Sequence, residues 1–342
     1  MAWSRYIRAW MMGVAALWSV FALVSCINED TSDCGEDYTL TYKMKLKVNL
    51  SMVLDTELDE EADAAARPIV EGAVNSIFKA YATDNDLAFY RPQTGQLVRH
   101  ESNEMDGAQA TYTLFMPAAN YRHISLANVV KEPHVELVDD ENVNTLKLRQ
   151  VNALTADTVD TQHSSLFSAR MNIEEQDFTH DMEVDLAMLN AATVVLVDRN
   201  GLSPESVQGC VEGMATSFSL NDSTYNFEHN TLVRAAHAAG PQHDILYAVT
   251  LPSRDKIATN ASPLNKIESR VEQGIWQFHV VTKLNGKYTK STLHLNTPLE
   301  AGQLRILKVK LQPDGRVVTD LPDVGISVKL DWQPGGEHDV DM

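Results

Sequence analysis

Tyr38-Thr39-Leu40-Thr41-Tyr42-Lys43-Met44-Lys45-Leu46-Lys47-Val48-Asn49-Leu50-Ser51-Met52 alternates apolar and polar side chains without a break. Successive side chains of an extended strand point to opposite faces. A period of two therefore makes this a long strand with one buried face, carrying Leu40, Tyr42, Met44 and Leu46. The other face carries Lys43, Lys45 and Lys47, a pattern suited to solvent or to a sheet edge guarded against unwanted pairing.

Downstream, residues 55–72 are rich in Asp, Glu and Ala and read as a loop with a short helix, with Pro68 in its first turn. The chain then reads as strands separated by turn chemistry. Residues 76–82 and 87–90 flank Thr83-Asp84-Asn85-Asp86 as a hairpin, and strands are expected at 110–116, 124–130, 182–186 and 192–198. Asn200-Gly201 and Pro204 punctuate the chain, so a boundary is placed at residue 200, give or take about ten residues. The second half repeats the style at 217–220, 245–251, 276–283, 288–295, 304–311 and 325–332, with tight turns at Asn285-Gly286 and Asp314-Gly315. Many short strands and few helical patterns predict an all-β protein of two β-sandwich domains, 38–200 and 201–342.

Upstream of the long strand, Arg5 and Arg8 precede an apolar run over residues 9–24 that ends at Leu23-Val24-Ser25-Cys26. A positive n-region and an apolar core shorter than the ~20 residues of a membrane-spanning helix describe an export signal over 1–25. Leu23 to Cys26 resembles the bacterial lipobox, whose cysteine is acylated and becomes the first residue of the mature protein. Two or three acyl chains hold a protein to a bilayer almost permanently, whereas one binds reversibly. Residues 26–37 have nothing to bury and read as a flexible tether. Their acidic residues are similar to the surface-export signal of Bacteroidetes lipoproteins, which implies the outer face of the outer membrane.

Loss of residues 1–25 removes two arginines and no acids, taking the formal net charge from −19 to −21. Without a basic patch the chain is not expected to bind nucleic acid. After maturation Cys34 and Cys210 remain, and outside the cytoplasm they can form one disulfide or stay as two thiols. Motifs of nucleophilic catalysis, phosphate cradling or metal binding are missing from the sequence, so neither an enzyme nor a cofactor is expected. The eleven histidines make no ligand pair at helical or strand spacing, and Asp139-Asp140-Glu141-Asn142 reads as a solvated loop rather than a cation site. Trp276 and Trp332 lie in apolar strand patterns and are expected in the core.

Several features together resemble the FimB/Mfa-type anchor lipoproteins of Bacteroidales type V fimbriae. They are the lipobox Cys26 with Cys34 eight residues on, the long strand from Tyr38, Leu114-Phe115-Met116-Pro117 to Tyr121 followed by Ala127-Asn128, and Val324-Gly325-Ile326-Ser327-Val328-Lys329-Leu330-Asp331-Trp332-Gln333-Pro334-Gly335-Gly336. Ala119-Asn120 stands where a frequent family pattern has glycine before the tyrosine. The resemblance covers nearly the whole mature chain. It implies two transthyretin-like, Greek-key sandwiches, partnership with fimbrillin stalk subunits, and lipid attachment at the base of a fimbrium in the cell outer membrane.

Stalk subunits of such fibres resemble donor-strand polymers, in which an Arg-specific protease removes the first strand and another subunit's strand fills the groove. Here the first arginine after Cys26 is Arg67, and Pro68 follows it, a position that trypsin-like cleavage tolerates poorly. The first strand is therefore expected to stay attached to the lipid, which separates an anchor from a stalk pilin; a stalk or tip fimbrillin remains an alternative. A surface glycan-binding lipoprotein is the competing expectation and requires exposed aromatic residues.

Overall fold

The computed structural model describes residues 37–47, 66–75, 77, 79–151, 158–179, 181–228, 231–255 and 274–330. The expected signal peptide, Cys26, Cys34, the first strand beyond residue 47, and Trp332 with the glycines that follow lie outside these residues. Among the described residues the fold is all β: twenty-two strands, one α-helix and one 3-10 helix arranged as four stacked sheets.

Sheet I holds β6 (Val135–Val138), β7 (Lys147–Gln150), β13 (Ser217–Ser219) and β14 (Thr224–Asn226). Sheet II has seven strands. In spatial order they are β3 (Leu97–Gly107), β2 (Ala82–Tyr90), β5 (Tyr121–Ala127), β9 (Phe167–Ile173), β10 (Met182–Met188), β1 (Asp37–Lys47) and β4 (Gln109–Pro117). Sheet III runs β16 (Ala236–Ala239), β17 (His243–Thr250), β11 (Ala191–Asp198), β20 (Leu304–Leu311) and β21 (Val317–Val318). Sheet IV runs β22 (Val324–Leu330), β19 (Lys287–Leu295), β18 (Trp276–Leu284), β12 (Ser206–Glu212), β15 (Leu232–Arg234) and β8 (Thr158–Asp160).

Three apolar cores separate the layers. Between sheets I and II, Ala88, Tyr90, Ile124 and Leu126 share a cluster with Val135, Leu148 and Phe218. Between II and III, Leu40, Tyr42, Met44 and Leu46 join Val194, Leu196, Ile245 and Ile306, and Val70 and Val74 of helix α1 (Arg67–Asn75) enter the same core. Between III and IV, Val195, Val197, Leu246 and Leu307 meet Trp276, Phe278 and Leu293. Sheet III is therefore covered on both faces, which is why β11 (Ala191–Asp198) shows no alternation and is apolar apart from Thr193 and the terminal Asp198. Pairing crosses the Asn200-Gly201 turn in three sheets: β11 lies antiparallel to β17 and parallel to β20, β7 pairs with β13, and β8 runs parallel to β15.

The alternation in β1 holds as expected, with Leu40, Tyr42, Met44 and Leu46 each 3% exposed or less and Lys43, Lys45 and Lys47 in solvent. The edge alternative for those lysines does not apply, because β1 lies between β10 and β4. The Asn285-Gly286 turn also forms as read, with both residues at positive φ.

Two expectations need correction. Thr83-Asp84-Asn85-Asp86 is not a turn but the interior of β2, and the hairpin partner is β3. Asp84, Asn85 and Asp86 are buried, and two of them are well partnered: Asp86 accepts from Ser102 Oγ and pairs with His100 Nε2 at 3.1 Å, while Asn85 bonds Tyr112 and Asn103. The strand placed at 124–130 lies earlier, as Tyr121–Ala127, because Asn128 takes a φ of 60° and ends it. Asn128 then bolts three segments together: its Oδ1 accepts from Thr83 N at 2.9 Å, and its Nδ2 donates to Tyr81 O at 2.7 Å and Ser165 O at 2.8 Å.

Candidate assembly site

β1 pairs on both sides. Residues from Tyr42 to Lys47 run parallel to Met182 through Ala187 of β10, and Asp37 to Lys45 run antiparallel to Pro117 through Gln109 of β4. Burying its four large apolar side chains contributes roughly 6–12 kcal/mol, as an upper figure, at about 1.5–3 kcal/mol each. That rivals the whole stability of a typical domain, about 5–15 kcal/mol. Loss of this strand would open the apolar groove that it fills, and with the strand in place the groove is closed. On the outer face, Lys43 pairs with Asp181 at 2.7 Å and Lys47 with Asp185 at 2.6 Å. Lys43 holds the Asp181 carboxyl below the usual carboxylate range and is itself raised by it. Tyr38, at the start of β1, borders a shallow depression shared with Asn120, Glu174, Glu175 and Phe178.

Arg67 and Pro68 open α1, after β1 in the chain, so Pro68 occupies the first turn as the sequence predicts. Arg67 Nε donates to Glu71 Oε1 at 2.9 Å, and the preceding Ala66 is buried. Pro68 itself is exposed.

At the far end, β22 lies on the edge of sheet IV with β19 as its partner among the described residues. It is the most solvent-exposed apolar strand end of that sheet, with Val328 39% and Leu330 55% exposed. An edge strand with unpaired backbone groups and apolar side chains is a template for pairing with another chain.

Of the other residues singled out from sequence, Cys210 sits buried in β12, and burial pushes its thiol up to about 12. Trp276 is in the core and donates through Nε1 to Thr297 O at 2.9 Å, so it offers no exposed stacking platform. Asp139, Asp140 and Glu141 form an exposed loop. The structure adds a group that sequence spacing missed: ligand-capable atoms of Glu132, His134 and His163 lie within 4.8 Å of one another. The only local signal was Glu132-Pro133-His134; His163 arrives from a distant part of the chain.

No family model matches the sequence, and no curated protein sequence matches it. Similar solved structures include a candidate adhesin from Bacteroides thetaiotaomicron, 12% identical, covering 86% of this chain and 97% of that one with a TM-score of 0.50. A candidate adhesin from Bacteroides ovatus is 9% identical over 88% of this chain and 97% of that one, with a TM-score of 0.50. The fimbrial anchor protein Mfa2 from Porphyromonas gingivalis is 12% identical over 86% and 99%, with a TM-score of 0.43, too low to carry an argument. At these identities the likeness is one of fold, and the chain shares its sheet architecture with the two Bacteroides proteins.

Proposed function

We propose that this chain is the anchor subunit of a surface fibre of the type V kind: a lipoprotein attached through Cys26 to the outer membrane that holds the base of the fimbrium and ends its growth. The observation that carries the reading is the seating of β1 between β10 and β4, continuous in sequence with the lipobox and followed by Arg67-Pro68, a pair that trypsin-like cleavage tolerates poorly. A subunit with a closed groove cannot accept a further strand. It can still join a fibre through an exposed edge, and β22 offers one. The shared fold with candidate adhesins supports a place at the cell surface. The glycan-binding alternative gains nothing from Trp276, which is buried.

Deletion of the gene tests the reading. Fibres should become longer than normal and appear in the medium while subunit synthesis continues, and a Cys26→Ala form should fail to restore attachment. Electron microscopy with immunoblots of cell and supernatant fractions decides. Cell-bound fibres of normal length in the deletion strain would overturn the anchor role.

A further inference from the structure

Glu132 closes the turn after β5, where its N–H donates to Val129 O and its carbonyl accepts from Val135 N, each at 3.4 Å. His134 lies two residues on, and its carbonyl accepts from Val151 N at 3.0 Å, next to the end of β7. His163 sits in the segment that leads from β8 in sheet IV to β9 in sheet II. Three sheets are therefore joined within a few residues of this point: β6 of sheet I starts at Val135, β5 of sheet II ends at Ala127, and β8 of sheet IV ends at Asp160.

The Glu132 side chain is wholly buried, at 0% exposure. Its Oε1 lies 2.9 Å from His134 Nδ1 and 3.3 Å from His134 N, and its Oε2 accepts from His163 N at 2.9 Å and Ser164 Oγ at 2.7 Å. The two imidazoles meet edge to face with centroids 4.6 Å apart. Among the described residues no lysine or arginine forms an ion pair with this carboxylate. Its oxygens thus meet four hydrogen-bond donors but no lysine or arginine, and a buried charge is characteristically paired with an opposite charge or bound to a metal ion. His163 is exposed, so the cluster has a route to solvent on that side.

The donor set defines the cation. Two imidazoles and one carboxylate suit a borderline divalent ion of the zinc class, whereas calcium and magnesium take mainly oxygen ligands. Three protein ligands leave a further position for water. Ser164 and the backbone N–H of His163 already hold the second carboxylate oxygen, the outer-shell support that ligating groups require.

We propose that Glu132, His134 and His163 form a binding site for a zinc-class divalent ion, which clips the turn after β5 to the segment between β8 and β9. The ion stabilises the folded chain by mass action, because the unfolded chain does not hold these three groups together.

The test uses the full chain, purified in detergent, stripped with a chelator and titrated with Zn²⁺ alone. Equilibrium dialysis should give one site that His163→Ala weakens tenfold or more, while His100→Ala, also at an exposed histidine, leaves it unchanged. Thermal unfolding should rise with Zn²⁺ in the wild type and not in His163→Ala, whose exposed side chain can be removed without opening the core. Glu132→Gln, provided its circular dichroism matches the wild type, should also weaken the site. Uptake of Zn²⁺ unaffected by His163→Ala, the absence of saturable uptake, or an equal thermal shift with Ca²⁺ would each overturn the proposal.

Discussion

The Tyr42 hydroxyl lies 2.8 Å from His123 Nε2, and the two rings meet edge to face with centroids 5.3 Å apart. On the other side of the imidazole, Nδ1 is 2.9 Å from Ala88 O. A carbonyl only accepts, so Nδ1 carries the proton, Nε2 is the acceptor, and the Tyr42 O–H donates to it. Phe89 stacks on the same imidazole at 4.3 Å. The first strand is thus fixed to β5, which lies further along sheet II beyond β10 and β9, by a buried polar contact as well as by its ladders.

Tyr42→Phe keeps the ring and removes the donor. Nε2 of His123 then remains buried without a partner, at a cost of about 1–3 kcal/mol. Urea unfolding of the full chain in detergent measures it. A stability within about 0.5 kcal/mol of the wild type would show that this contact does not hold β1.

The same imidazole makes stability depend on pH. Burial lowers its pKa from 6.5 to about 4, against the opposing bond to Ala88 O. Between pH 4 and 6.5 the unfolded chain takes up a proton that the native chain refuses, so stability falls as the pH drops through that window. Above 6.5 this contribution is fully present, and below about 4 no further loss occurs. Each tenfold change in proton affinity is worth about 1.36 kcal/mol, so the loss amounts to roughly 3 kcal/mol. His123→Gln should flatten this part of the stability profile; an unchanged slope between pH 6.5 and 4 would remove His123 from the account.

What could be read from sequence follows from which faces the layers cover. Near β1 sheet II has only one buried face, and the alternation from Leu40 to Leu46 stands out. Around β2, sheet I covers the second face, so periodicity vanishes and Asp84, Asn85 and Asp86 read as a turn although Ser102, His100 and Tyr112 satisfy two of them inside the sheet. β3 shows little apolar patterning, because an edge strand such as Leu97–Gly107 is held by its ladder to β2 rather than by its side chains. The parallel pairing of β11 with β20 depends on partner choice across the chain, which no local pattern encodes. The Glu132, His134 and His163 cluster escaped notice for the same reason: the crossover from β8 to β9 assembles it. Cys26 and Cys34 lie outside the described residues, so their roles rest on the sequence alone.

Cys210 should be inert in the native chain. It is 2% exposed and its thiol is raised to about 12, so almost none is thiolate at neutral pH, and the thiolate is the reactive form. Maleimide labelling followed by peptide mass spectrometry should find Cys210 unmodified until the chain is unfolded. Rapid native labelling would contradict its burial, and failure to label in urea without reductant would identify a bridge to Cys34.

The joining end of the proposed anchor is the last prediction, and it rests on β22. Val328 and Leu330 face Ser291 and Thr289 of β19 across the ladder, yet both remain exposed, so lysines there cost the fold little, within about 0.5 kcal/mol each. Lysines on an edge strand do oppose pairing with another chain, since charge at an edge is a common guard against it. A Val328→Lys, Leu330→Lys double variant should therefore fold, melt near the wild-type temperature and stay in the membrane fraction, yet leave fibres shed into the medium as in the deletion strain. Electron microscopy of cells and immunoblots of supernatants read the outcome. Normal cell-bound fibres from this variant, in a background where the deletion strain sheds them, would exclude β22 as the joining strand and leave the anchor role standing.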